Sequence, residues 1–252
     1  MMSEKSPSSL VRMLMVLDFF TEATPIWSVE DIAQKLEVSI PTCYRYMKML
    51  VESGWLTHQS ESCYTFGPRI LVMDYYVRQS DPVLRASVPL MQELVAKTGF
   101  ECVLSAFYGD RVLDSHHEKS NGKTFLSYGR GMPRPLFQGG APKVILAHLP
   151  NRQLRKIYDA HTEELKQSGI PEDWDGFRAY YQGIKKRGFY YSAGELESHL
   201  GALSVPIEKQ GQPGVWGAMS LVAELSRFEV VDLHKMKEML EGATRSISHN
   251  LV

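Results

Sequence analysis

Cysteine is scarce in this chain. Cys43, Cys63 and Cys102 are the whole complement. They form no C-x-x-C pair and cannot all be cross-linked, which argues against a disulfide scaffold and a thiolate zinc cluster and leaves free thiols in a reducing compartment. An excess of one charge is also missing. The 28 Lys and Arg stand against 29 Asp and Glu, a formal net charge of −1, so the chain has no global attraction to nucleic acid or to an anionic membrane. No run approaches the roughly 20 apolar residues that span a bilayer. Residues 1–9 are polar and lack the apolar segment of a secretion signal, so a cytoplasmic protein with no membrane partner is expected. There is no G-x-S-x-G elbow, and Gly139-Gly140-Ala141-Pro142-Lys143 lacks the spacing and the Ser/Thr of a P-loop. No internal repeat or long low-complexity tract is present. What remains is 252 residues with 44% hydrophobic content, enough for two cored domains.

The most informative stretch is residues 28–66. Ser28 precedes Val29-Glu30-Asp31, a loose capping box. A first helix would bury Val29, Ile32, Ala33 and Leu36, and Glu37-Val38 forms a turn. Ser39 can cap a second helix, and Pro41 suits its first turn, where no backbone donor is needed. Cys43, Tyr46, Met47 and Leu50 then recur at i, i+3, i+4, i+7, one buried stripe. Thr42, Arg45 and Lys48 occupy the opposite face with Tyr44 on the flank, a pattern that suits a DNA major groove. Residues 55–58 and 63–66 look like two strands around a polar tip at 59–61, a wing. Upstream, Leu10, Met13, Leu14, Leu17 and Phe20 are expected to complete a three-helix core. Over residues 1–80 seven Lys and Arg face nine Asp and Glu, unlike the basic footprint of a DNA-binding domain. A single copy would bind weakly, so dimerisation is expected.

Gly67-Pro68 closes this domain (residues 1–67). Residues 69–79 read as a helix that is apolar around most of its circumference, within a linker at 68–81. The remainder, 82–252, opens with an amphipathic helix at 83–97 ending at Gly99. Hairpins follow at 101–108/111–116 and 202–208/215–223, with helices at 141–149, 152–161, 174–187 and 230–250, a short strand at 188–191, and a Gly- and Pro-rich loop at 129–140. Hairpins with helices at both ends indicate an α+β fold, an antiparallel sheet covered by helices.

Several motifs in fixed order resemble the IclR family of bacterial transcription regulators. Ser39-Ile40-Pro41-Thr42-Cys43-Tyr44-Arg45 is similar to the family's recognition helix, and Tyr64-Thr65-Phe66-Gly67 to the end of its wing. Pro135-Leu136-Phe137 leads into Gly140-Ala141-Pro142-Lys143-Val144-Ile145-Leu146-Ala147, similar to "plh…aGKaiLA". Arg187-Gly188-Phe189 to Gly194-Glu195-Leu196 resembles "rGya…gE", and Leu203-Ser204-Val205-Pro206-Ile207 with Ala218-Met219-Ser220-Leu221 completes the set. The resemblance implies a winged helix-turn-helix joined to a GAF- or profilin-like domain for effector binding and oligomerisation. It further implies a dimer or tetramer on a palindromic double-stranded operator, a small organic or aromatic acid as effector, no cofactor and no enzyme activity. Carried over, the DNA face comprises Ser39, Pro41, Thr42, Tyr44, Arg45 and Lys48. The effector site comprises Gly140, Ala141, Ser192, Ala202, Ser204, Ser220 and Val222, with apolar walls from Phe125, Met132 and Leu136. Pro142 departs from the usual Gly, and Ala202 stands where relatives can carry a polar group. Lys143 is expected to be a structural or surface cation.

Other chemistries compete. Asp114 and His116 share a face of a regular strand, so Asp114-Ser115-His116-His117-Glu118 suggests a metal-dependent enzyme, although no second ligand pair accompanies it. Cys43 suggests redox sensing against plain packing of a thiol on the inward helix face. A metabolite-sensing module acting through protein partners is the runner-up, supported by the acidic N-terminal balance.

Overall fold

The computed structural model describes residues 7–120, 126 and 129–251. The chain divides into two compact units, Met1–Ser80 and Asp81–Val252.

The first unit runs α1 (Ser9–Met15), a 3-10 turn (Val16–Phe19), β1 (Trp27–Ser28), α2 (Val29–Leu36), α3 (Ile40–Glu52), β2 (Leu56–His58), β3 (Cys63–Phe66) and α4 (Arg69–Ser80). The Ser28 hydroxyl accepts from the Asp31 amide at 3.1 Å and donates to the Asp31 carboxylate at 2.6 Å, closing the start of α2. Glu37 adopts a left-handed φ of 55° to end it. Cys43, Tyr46, Met47 and Leu50 of α3 are buried against Val29, Ile32, Ala33, Leu36, Leu56 and Tyr64, as their spacing predicts. Ser39 occupies the N-cap of α3 but caps differently from expectation, since its hydroxyl pairs with the Thr42 hydroxyl at 3.0 Å rather than with a backbone N–H.

The expected continuous helix over 10–20 is corrected. It stops at Met15 and tightens into the 3-10 turn, whose three-residue period rotates the buried stripe. Val16 joins the expected Phe20 in the core, with Met13 and Leu17 half-buried against it, whereas Leu10 and Leu14 are 66% and 55% exposed. Two-residue β1 joins the wing in the order β1-β3-β2, too short for any alternation to announce it. Gly67 is required at the exit: a Cβ there would lie 2.3 Å from the Gly54 carbonyl oxygen. Arg69 fixes the start of α4, donating to the Ser53 carbonyl at 3.1 Å and lying over the Trp55 ring. Further along α4, Leu71, Val72, Tyr75, Tyr76 and Val77 are exposed.

The second unit contains α5 (Pro82–Thr98), β4 (Glu101–Tyr108), β5 (Arg111–Glu118), β6 (Pro133–Arg134), α6 (Gly140–Ala147), α7 (Asn151–Ala160), α8 (Thr162–Lys166), α9 (Trp174–Arg187), β7 (Tyr190–Ala193), β8 (Leu200–Glu208), β9 (Val215–Glu224), α10 (Leu225–Glu229) and α11 (Leu233–Asn250). Its antiparallel sheet has the order β6-β5-β4-β9-β8-β7. Asp81 caps α5 with bonds from the amides of Val83 and Leu84. The last helix begins at Leu233 behind an Asp232 cap, later than the periodicity suggests, and Val230 is 84% exposed. β7 likewise starts two residues beyond its expected place, because Gly188 is spent ending α9 at φ 77°.

The two sheet faces differ in kind. One presents Cys102, Leu104, Leu203, Val205, Ile207, Met219 and Leu221 to α5 and α11. The other alternates with it and presents Val103, Ser105, Ala202, Ser204, Ala218, Ser220 and Val222. These side chains are small or hydroxylated, so the backbone of α6 can approach the sheet closely. One irregularity decides what this face carries. A β-bulge between Leu104 and Ser105 pairs Leu104 with His116 but Ser105 with Asp114, leaving Ser115 as an extra residue. Asp114 and His116 therefore point to opposite faces, and the metal site suggested by regular alternation is not assembled. Among the described residues no cluster of three His, Cys, Asp or Glu side chains could hold a metal ion.

Candidate functional site

The small-residue face and the start of α6 enclose a cleft of roughly 500 Å³, its open mouth included. Ser105, Ala202, Ser220 and Val222 form the floor beside Val103. Gly139, Gly140 and Ala141 form the roof, and Glu195, Leu196 and Glu197, from the turn between β7 and β8, stand at the rim with Ser192. Leu126 and Leu200 add apolar surface.

Gly140 sets the roof height. A Cβ at this position would lie 2.2 Å from the Ser204 hydroxyl oxygen. Ser204 is fully buried beneath it and pairs with the Ser220 hydroxyl at 2.7 Å. Gly140→Ala should force α6 off the sheet, with a stability loss of about 1–3 kcal/mol and a changed cleft. Urea denaturation with a parallel ligand-binding titration checks this, and an unchanged midpoint refutes it.

Two ion pairs polarise the cleft. Arg134 donates from Nε to Asp114 Oδ2 at 2.8 Å, and its Nη2 contacts the same oxygen, while Ser105 Oγ donates to Asp114 Oδ1 at 2.7 Å. The second pair joins Lys143 to Glu195. Glu195 Oε2 accepts from Lys143 Nζ at 2.6 Å and from the Gly139 amide at 2.9 Å. Glu195 Oε1 accepts from the Tyr190 hydroxyl at 2.8 Å, which in turn receives the Tyr180 hydroxyl at 3.2 Å. Burial, followed by these bonds to Tyr180 and Glu195, pushes the Tyr190 phenol up, so it remains a proton donor throughout the neutral range. Lys143 is 4% exposed, hence structural rather than a surface cation. Pro142 supplies no N–H, so the amides of Gly140 and Ala141 are the donors left at the start of α6 beside the one Glu195 occupies.

Of the residues assigned to a site by sequence, Gly140, Ala141, Ser192, Ala202, Ser220 and Val222 all line this one cleft. Ser204 lies under Gly140 instead of in the lining. Met132 is outside the lining, its sulfur accepting from the Gly129 amide at 3.2 Å, and Leu136 is buried in the core around α6, α7 and α9. Phe125 lies outside the described residues. Ser105, Arg134 and Glu195 were not anticipated. Arg134 and Glu195 owe their places to partners distant in sequence, Ser105 to Asp114 across its own hairpin, and only the motif residues Lys143 and Glu195 give a hint.

On the first unit, Ser39, Pro41, Tyr44, Arg45 and Lys48 are exposed and Thr42 is half-buried, all on the side of α3 away from its core stripe. Lys48 Nζ lies 3.7 Å from Glu52 Oε1, a solvent-exposed pair. Cys43 is fully buried, and burial, with a lesser contribution from Glu30, pushes its thiol up to about 11. A thiol so hidden and so rarely ionised at neutral pH is packing material rather than a redox sensor.

The model of the IclR helix-turn-helix domain matches residues 9–60, and that of the bacterial transcriptional regulator IclR C-terminal domain matches residues 76–249. The HTH-type transcriptional regulator XynR of Escherichia coli is 22% identical over 246 residues, covering 96% of each chain. An IclR transcriptional regulator from Alicyclobacillus acidocaldarius superposes with a TM-score of 0.76 at 20% identity, covering 96% of this chain and 98% of that one. An IclR homologue from Microbacterium hydrocarbonoxydans, solved with 4-hydroxybenzoate, has a TM-score of 0.76 at 18% identity, covering 97% and 99%. Both families describe transcription regulators rather than enzymes, and between them they account for nearly all of the described residues: the chain belongs to the IclR family of bacterial transcriptional regulators.

Proposed function

We propose that this regulator binds a palindromic operator through α3 and responds to a small organic or aromatic acid held in the cleft beside α6, acting in the cytoplasm as a homodimer or tetramer. The observation that carries the DNA reading is α3 itself. Its apolar stripe is sunk in the core, and Thr42, Arg45 and Lys48 face outward. Thr42 and Arg45 are the base readers, and Lys48 contacts phosphate. The first unit carries more Asp and Glu than Lys and Arg, so a second copy supplies the missing affinity. The exposed apolar side chains of α4 suit that association.

The acid reading is supported by backbone donors at Gly140 and Ala141, hydroxyls at Ser192 and Ser220, and apolar surface from Val103, Leu200 and Val222. A structural neighbour solved with 4-hydroxybenzoate points the same way. Effector binding shifts the population between arrangements of the DNA-binding units in proportion to its differential affinity for them, with α4 as the transmitter.

Arg45→Ala should cost about 1–3 kcal/mol of discrimination at one operator position. A gel shift on DNA upstream of the protein's own gene, with single-base variants, measures this, and unchanged preference removes Arg45 as a base reader. A thermal-shift screen of organic and aromatic acids, followed by the same gel shift with each hit, tests the effector half.

A further inference from the structure

We propose that Glu195 is a resident stand-in for the effector's carboxylate, and that an acid entering the cleft takes its place on Lys143, Tyr190 and Gly139, releasing the turn between β7 and β8. This rests on reading the cleft as an organic-acid site.

Three donors from two elements converge on one carboxylate: Lys143 Nζ and the Gly139 amide at the start of α6, and the Tyr190 hydroxyl on β7. Lys143 is almost wholly buried, so its ammonium needs a carboxylate opposite it. Glu195 is the looser half of the pair. Its side chain is 24% exposed against 5% for Lys143, and it rides on a turn at the cleft rim. A neutral ligand cannot replace it without stranding the buried ammonium. Another carboxylate can, because the exchange leaves the buried charge unchanged while Glu195 moves into water.

The surrounding space favours the exchange. Glu195 and Gln138 line both this cleft, with its apolar Val103, Leu200 and Val222, and a second, polar one lined by Lys143, Gln167, Tyr180 and Tyr190. With Glu195 withdrawn the two join. The ligand class follows: an amphiphilic acid, its apolar body against Val103, Leu200 and Val222 and its carboxylate in the polar half. The exchange leaves the Gly140 and Ala141 amides beside the incoming carboxylate, whereas an acid seated on them with Glu195 still on Gly139 sets two carboxylates side by side. Arg134 cannot relieve that, because its guanidinium is committed to Asp114.

The exchange predicts chemical rescue. Glu195→Ala in the full-length protein should lower Tm, and acetate or benzoate should restore it in a dose-dependent manner. The concentration needed should be about tenfold lower than that giving an equal shift in the wild type, since a competing group has been removed. Acetamide and benzamide should do nothing. If the alanine variant does not fold, Glu195→Gln keeps an acceptor for Gly139 and is scored the same way. In the wild type, benzoate titrated by amide NMR should move the Gly139 resonance as its partner changes. Equal carboxylate affinity in variant and wild type, or a Gly139 amide unmoved at saturation, overturns the exchange while leaving the acid reading intact. No response to any carboxylate in either protein overturns both.

Discussion

Asp114→Ala should cost about 3–5 kcal/mol of unfolding free energy, the scale for breaking a buried ion pair from one side. Asp114 is 2% exposed and Arg134 is nearly as hidden. The carboxylate also holds the Ser105 hydroxyl at 2.7 Å. Removing it takes the carboxylate from a nearly buried guanidinium and leaves the Ser105 hydroxyl without its acceptor, two penalties with the same sign. The double variant Asp114→Leu/Arg134→Met should recover most of the loss, because both charges are then gone and volume is kept. Urea denaturation of the two variants with the wild type decides it. A loss below about 1 kcal/mol for Asp114→Ala alone would mean water reaches the pair.

Met47→Ala should cost the first unit about 2–5 kcal/mol, the range for truncating a long core side chain without collapse of the cavity. Met47 is fully buried where α3 crosses the core formed with Val16, Ile32 and Leu56. Small domains have only about 5–15 kcal/mol in total, so this is a large fraction, and operator binding should fall steeply because α3 loses its seat. The core of the second unit, with Leu104, Val205 and Leu240, is a separate cluster. Scanning calorimetry should therefore show one transition lowered and another retained. A uniform downward shift of both would mean the units melt together.

Much of this architecture is legible in the residues because local rules and tertiary packing agree. The stripe Cys43, Tyr46, Met47 and Leu50 is buried as its spacing requires, and the helix expected over 174–187 has those bounds, set by the Asp173 cap and the left-handed Gly188. Failures occur where an unannounced change of period intervenes. The helix gives way to a 3-10 turn after Met15, with Val16 in the core and Leu10 and Leu14 exposed, and the extra residue Ser115 separates Asp114 from His116. The cleft was half legible. The small residues on β8 and β9 and the start of α6 came together through motif order, whereas Arg134 and Glu195 act through partners 20 and 52 residues away. No local pattern encodes such pairings. Ser204 is a ligand contact by family resemblance, yet the closeness of Gly140 makes that hydroxyl a seat for the helix.

The extra residue at Ser115 also limits how site residues can be transferred between relatives. It reverses the facing of β5 on either side of itself, so that Asp114 and His117 share the cleft-side face while His116 lies opposite Leu104. A homologue lacking that insertion but aligned column by column would have its counterpart of Asp114 turned toward α5. Residue-for-residue inheritance of cleft chemistry along this edge thus holds only for family members that keep the same strand length between the Gly109 turn and Glu118, and counting that spacing should precede any assignment of an acid–guanidinium pair to them.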